Sequence, residues 1–120
     1  MTSAFQFRVT GPPQPKQRAR RGKNGSWYTP APTARYEWSV RAVASLLRPR
    51  WWPLDARYRL TVRAVFADQR RRDLDNVVKS VSDALNGIAF GDDSQIDEVR
   101  ASRGFSADAP ATEVLVEVVG

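Results

Sequence analysis

Hydrophobic and polar residues alternate most strictly over 57–67, "RYRLTVRAVFA". Tyr58, Leu60, Val62, Ala64 and Phe66 fall on one face, and Arg57, Arg59, Thr61 and Arg63 on the other. A period of two is the mark of a half-buried strand. "AFQFRVT" (4–10) repeats it with Phe5, Phe7 and Val9 against Gln6, Arg8 and Thr10. "DEVRASR" (97–103) and "TEVLVEVV" (112–119) supply two more strands, which the short separation predicts to be a hairpin across 104–111. Two stretches carry the helical period instead. Tyr36, Val40, Val43 and Leu47 stand at i, i+4, i+7 and i+11, which predicts a helix over 33–47. A second helix is predicted over about 75–86, with Val77, Val78, Val81, Ala84 and Leu85 on one side and Gly87 just past its end. The order β-α-β-α-β-β predicts an α/β domain of the two-layer α+β kind. It would be one unit over 1–120, with a small mixed sheet of about four strands and two helices. The basic face of 57–67 reads as a solvated sheet surface rather than a nucleic-acid groove.

Two segments interrupt these patterns. "GPPQPKQRARRGKNGSWYTPAP" (11–32) holds five of the eight prolines, three glycines and five cations. Such density precludes a helix or a central strand, and a loop this long in a small domain is functional or disordered. "RPRWWPL" (48–54) ends the first helix with two prolines around a Trp pair.

Composition narrows the chemistry. The net charge is +6, and sixteen of the nineteen cations are arginine, which forks onto phosphate and stacks on bases. A nucleic-acid partner is favoured, although a GC-rich genome also enriches arginine. The chain has no cysteine and no histidine. Disulfides, thiolate chemistry, histidine bases and histidine-bound zinc are therefore excluded, and a bound metal must be a hard cation held by oxygen. No apolar run approaches the ~20 residues of a membrane span, and "MTSAFQFRVT" lacks a signal-peptide core, so a soluble, cytoplasmic protein is expected.

Against this basic background, residues 70–99 concentrate seven of the thirteen acidic residues. Like charges gathered together need a cation or a metal to compensate them. On a wheel of about 100° per residue, Asp75, Asn76, Lys79, Asp83 and Asn86 share the polar face of the second helix. Asp75 alone fits a helix N-cap as well as a ligand. Asp73 two residues earlier and the Asp92–Asp93 pair after the helix are not explained by capping. Together they suggest a three-carboxylate magnesium site, since magnesium takes few protein oxygens and keeps waters for phosphate to replace. A calcium EF-hand loop opening at Asp73 fails, because Val78 stands at its sixth position and Ala84 at its twelfth. Asp83 reads as an i,i+4 partner of Lys79 or a structural hydrogen-bonding group.

"RRRDLDNVVKSVSDALNGIAFGDDSQI" resembles the signature of the RusA family of Holliday-junction resolvases of bacteria and their phages. "GPPQPKQRARRG" resembles that family's proline- and arginine-rich loop, with Ala19 where relatives often carry proline. The resemblance implies a homodimeric, magnesium-dependent endonuclease, with manganese as a substitute, that nicks opposed strands of a four-way DNA junction. By position it implies Asp73, Asp75 and Asp93 as metal-binding and catalytic carboxylates, with Asp92 a further candidate. Lys79 would then steady charge on the scissile phosphate and Asn76 would support the site. Lys16, Arg18, Arg20, Arg21, Lys23, Arg70 and Arg71 are the expected DNA contacts, and Trp27 and Tyr28 could either stack on bases or pack on the domain. The expected dimer patch is either Trp51 with Trp52 or the strand over 112–119. Competing readings are a general phage DNA nuclease on the same carboxylates, and a non-catalytic DNA-binding module whose acids merely pair with Arg70, Arg71 and Arg72.

Overall fold

The apolar faces read from the sequence turn to one side of a four-stranded sheet, where two helices cover them. The computed structural model describes residues 3–120. In chain order the elements are β1 (Ala4–Thr10), β2 (Arg20–Arg21), β3 (Trp27–Tyr28), α1 (Ala31–Leu47), β4 (Tyr58–Phe66), α2 (Leu74–Leu85), β5 (Ile96–Phe105) and β6 (Ala111–Val118). The main sheet has the order β1-β6-β4-β5, and β2 pairs with β3 in a separate ribbon.

β4 and β5 run parallel, so α2 is the crossover of a βαβ unit, while β6 is antiparallel to both β4 and β1. This corrects the expected hairpin. β5 and β6 are not paired with each other; they flank β4 on opposite sides. The crossover helix makes β4 and β5 parallel, and β6, largely buried where β5 is exposed, takes the central place between β4 and β1 in preference to the free edge of β5. The loop over 11–32 is also less irregular than expected: it contains the β2–β3 ribbon, and α1 begins inside it at Ala31. Pro30 precedes that helix and Pro32 lies in its first turn, where a missing N–H costs nothing.

The core lies between sheet and helices. Tyr58, Leu60 and Val62 of β4 meet Val81, Ala84 and Leu85 of α2 and Val40 and Ala44 of α1. Trp52 is buried with them; its ring stands edge-on to Phe5, and its Nε1 donates to the Ala89 carbonyl at 2.8 Å. Gly87 takes φ +83° after α2, a left-handed turn that glycine adopts without strain. On the uncovered face, Arg59 bridges Glu98 at 3.2 Å and Glu117 at 3.0 Å, and Arg63 lies 3.5 Å from Glu113. The basic face of β4 is thus neutralised by glutamates of its neighbours. Among the described residues, no helix is long and apolar enough to cross a membrane.

One buried polar pair ties the helical layer to the sheet. The Tyr36 hydroxyl of α1 shares a 2.5 Å hydrogen bond with the fully buried Thr112 hydroxyl of β6, and burial pushes the Tyr36 pKa up to about 12. Its neutral form is the folded form, so this contribution is present below the ordinary tyrosine pKa and is lost as pH rises through about 12. Tyr36→Phe leaves Thr112 without its partner and is expected to cost about 1–2 kcal/mol in urea unfolding. An unchanged midpoint would show that the pair contributes nothing.

Candidate active site

Where β4 ends, the chain carries a compact clasp of charge. Asp68 accepts from the Arg70 backbone N–H at 2.9 Å and from both terminal nitrogens of Arg72, at 2.6 and 3.2 Å. The Arg72 guanidinium first, then the Arg70 N–H, hold the Asp68 carboxyl well below the usual carboxylate range. Arg72 also lies over the Phe66 ring, as does Arg103 of β5, which donates to the Arg70 carbonyl at 3.1 Å. Sequence reading missed this clasp, although the i,i+4 spacing of Asp68 and Arg72 could have suggested it. The clasp also removes the reading in which Arg70–Arg72 neutralise the acidic pair. Arg70 and Arg72 bridge Asp68. Among the described residues no cation stands within salt-bridge distance of Asp73, Asp75, Asp92 or Asp93.

Asp73, rather than Asp75, is the N-cap of α2. Its Oδ1 accepts from the Asp75 backbone N–H at 3.0 Å and its Oδ2 from the Asn76 side-chain amide at 3.3 Å. Capping answers an orphan donor of the first turn, and the helix dipole favours negative charge there. Both carboxylates remain exposed, and they line a shallow hollow of about 490 Å³ with Arg71, Arg72 and Leu74. Arg71 is exposed and makes no ion pair among the described residues. A hollow of about 500 Å³ on the opposite sheet face is lined by Arg8, Arg63 and Glu113, with Glu113 lying 4.0 Å from Arg8 and 3.5 Å from Arg63.

Further along α2 the polar face is already engaged. Lys79 lies 3.3 Å from Asp83, as the i,i+4 reading of Asp83 anticipated. Asp83 also meets Lys16 at 3.2 Å, and Lys16 reaches Glu37 of α1. Partial burial works against the Lys16 ammonium, but the two carboxylates outweigh it and hold its pKa above the usual lysine value. Lys16 is therefore neutralised at home, unlike the expected phosphate contact. Its backbone N–H donates to the Asn76 carbonyl at 2.8 Å, Ser80 Oγ to the Gln14 carbonyl, and the Gln17 N–H to Thr33 Oγ1. The first part of the loop is strapped across both helices. Arg18, Arg20, Arg21 and Lys23 take part in no ion pair among the described residues, and Arg20 and Arg21 are exposed.

Asp92 and Asp93 stand elsewhere. They open the short turn Asp93–Gln95, in which Asp92 accepts from the Ser94 N–H at 2.9 Å and Gln95 reaches back to the Asp92 N–H at 2.8 Å. The Ser94 hydrogen bonds hold the Asp92 carboxyl below its ordinary range. Gln95 also donates to the Leu54 and Ala56 carbonyls, fixing the turn at the start of β4. β5 then leaves from Ile96 beside Tyr58 and reaches Phe105 beside Phe66. Asp73 lies at the Phe66 end and Asp93 at the Tyr58 end, separated by the twelve residues of α2. At about 1.5 Å per residue that is ~18 Å. Among the described residues no group of three carboxylates gathers closely enough to hold a metal ion. The three-carboxylate cluster expected from the sequence does not form within one chain.

What one chain offers, among the described residues, is a carboxylate pair without an ion-pair partner at a helix N-terminus, bordered by an Arg71 that likewise has none, on a basic α+β domain. Such a site, on a domain of net charge +6, suits a nucleic-acid substrate. The model of the family "Endodeoxyribonuclease RusA" matches residues 10–117, and the chain belongs to this family of DNA-cleaving endonucleases. It is 33% identical over 105 residues to the crossover junction endodeoxyribonuclease rusA of Enterobacteria phage HK97, covering 83% of this chain and 82% of the relative. It is 43% identical over 47 residues to the uncharacterized protein YqaN of Bacillus subtilis (strain 168), covering 39% of this chain and 32% of that protein.

Proposed function

We propose that the chain resolves four-way DNA junctions as a magnesium-dependent homodimer, each active site being completed by two copies of the chain. The observation that carries this reading is the separation of Asp73 and Asp75 from Asp93 by the full length of α2. A two-fold axis passing beside the middle of α2, perpendicular to it, would set a second α2 antiparallel to the first. Asp93 of the second copy would then come opposite Asp75 of the first, twice per dimer. Surface beside α2 is free for such a contact. β5 is an edge strand, and its Val99 and Phe105, which share the helix-bearing face with Leu60 and Phe66, are 49% and 53% exposed. The two patches expected from the sequence are less suitable: Trp52 is buried in the core, and β6 is central between β1 and β4.

When bound, magnesium or manganese would supply Lewis acidity toward a phosphoryl oxygen and toward water. In this reading Asp73 and Asp75, with Asp93 of the second copy, would hold the cation, and Asn76 keeps the Asp73 carboxylate oriented through its side-chain amide. Lys79, one turn along α2 from Asp75 and with its side chain 56% exposed, offers its ammonium to a phosphate oxygen in exchange for Asp83. Arg71 borders the same hollow, and Arg18, Arg20, Arg21 and Lys23 extend the cationic surface along the DNA backbone.

Replacing Arg18, Arg20 and Arg21 together by alanine is expected to weaken junction binding. It should also lower the salt slope by about one unit for each phosphate that is no longer neutralised. Lys16→Ala, whose charge is already engaged by Glu37 and Asp83, should leave that slope unchanged. Equal slopes for the triple variant and the natural chain would take the loop off the DNA backbone. The resolvase reading itself is tested by magnesium-dependent cleavage: paired, symmetric nicks in a four-way junction and none in linear duplex of the same sequence. Equal cutting of both substrates would favour a general nuclease.

A further inference from the structure

Two large aromatic side chains stand out in solvent on a ribbon that has no packing reason to present them. Trp27 is 69% exposed and Tyr28 50%. β2 and β3 form a two-residue ladder in which Arg20 lies opposite Tyr28 and Arg21 opposite Trp27. Strand alternation therefore gives each face of the ribbon one guanidinium and one aromatic ring. The turn between them is closed by its own hydrogen bonds: Gly22 N–H to the Ser26 carbonyl at 2.7 Å, Ser26 N–H to Asn24 Oδ1 at 3.0 Å, and Arg21 Nε to the Gly25 carbonyl at 3.2 Å. The guanidinium groups found over an aromatic ring among the described residues are those of Arg72 and Arg103, both over Phe66. The Trp27 and Tyr28 rings therefore keep open faces.

The ribbon is also placed. Its root is pinned where the Lys16 N–H meets the Asn76 carbonyl and the Gln17 N–H meets Thr33 Oγ1. Asn76 belongs to the first turn of α2, next to Asp75. From Lys16 to Arg20 the chain can extend at most about 14 Å. The ribbon thus rises within a few nucleotides' reach of the carboxylate pair.

We propose that the β2–β3 ribbon is a base-stacking element, with Trp27 and Tyr28 receiving nucleobases unstacked at the branch point while Arg20 and Arg21 hold the adjoining phosphates. An intact duplex arm keeps its bases stacked on one another and offers these rings nothing. A branch point, where continuous stacking is interrupted, offers free base faces, and stacking on them is indifferent to sequence. The ribbon then contributes discrimination for branched over linear DNA, while the carboxylate site supplies the cutting. The proposal rests on the resolvase reading given above.

Equilibrium binding in calcium, where affinity is read without cleavage, tests it on the full-length chain. Trp27→Ala is expected to lower affinity for a four-way junction by about tenfold and to leave affinity for linear duplex within about twofold, with Trp27→Phe restoring most of the loss. A 5-iodouracil placed at the branch point should photo-crosslink to the peptide carrying Trp27 and Tyr28, and the same base inside a duplex arm should not. Unchanged junction affinity in Trp27→Ala, while the natural chain still prefers junction to duplex, overturns the stacking role and leaves the resolvase reading intact. A natural chain with no preference for the junction overturns both. Conversion of the dimer to a monomer by Trp27→Ala in the absence of DNA would make the ribbon a subunit contact and likewise overturn the proposal.

Discussion

Asp75→Asn is expected to slow junction cleavage in magnesium by about a thousandfold or more while junction affinity stays equal or rises. The loss reflects a cation contribution of several kcal/mol, at about 1.4 kcal/mol per factor of ten. The kept affinity reflects the removal of a negative charge that repels phosphate and has no salt-bridge partner among the described residues. The helix should survive the change, because Asp73 and not Asp75 is its cap and asparagine is tolerated in the first turn. Single-turnover cleavage and equilibrium binding on the same junction separate the two effects. A variant that cuts at the natural rate would remove Asp75 from the site.

The second large effect comes from mixing two inactive proteins. If each site draws Asp73 and Asp75 from one chain and Asp93 from the other, Asp75→Asn and Asp93→Asn homodimers are both dead. In a mixed dimer, one site collects both substitutions and the other collects none. Equal mixing with free subunit exchange should therefore return about a quarter of the natural complement of sites. The products would be single nicks in place of paired ones. If all three carboxylates acted within one chain, no mixture would recover any activity. Time courses of nicking on a junction labelled on all four strands distinguish the outcomes directly.

The elements themselves were largely legible in the sequence because their periodicity reports burial. β1 is found over Ala4–Thr10 as the alternation of Phe5, Phe7 and Val9 indicated, and α2 differs from expectation by one residue at each end. What alternation could not show was pairing. β5 and β6 are joined by a short loop and resemble a hairpin locally, yet β6 lies between β4 and β1 while β5 stays at the edge. The candidate site residues could be proposed from their chemistry but not placed in space. Asp73, Asp75, Asp92 and Asp93 lie close in sequence, and a helical wheel gives angles around an axis without showing that twelve residues along it carry the chain the length of the sheet. Charge pairing was the other blind spot. Lys16 looked like one more cation of a basic loop, and only the packing of α1 against α2 brings Glu37 and Asp83 to it.

The span of α2 has a consequence for dosage. An endonuclease complete in one chain is hazardous from the first copy made, whereas one that, as proposed, draws its carboxylates from two copies would stay harmless until it met its own kind. Below the dimer dissociation constant, cutting would rise with the square of protein concentration. Halving expression in that regime would quarter the rate. While copies are few, DNA would be spared, and cleavage would begin only once enough chains had accumulated to pair. The helix that forms the crossover of the fold would also set the threshold at which the enzyme switches on.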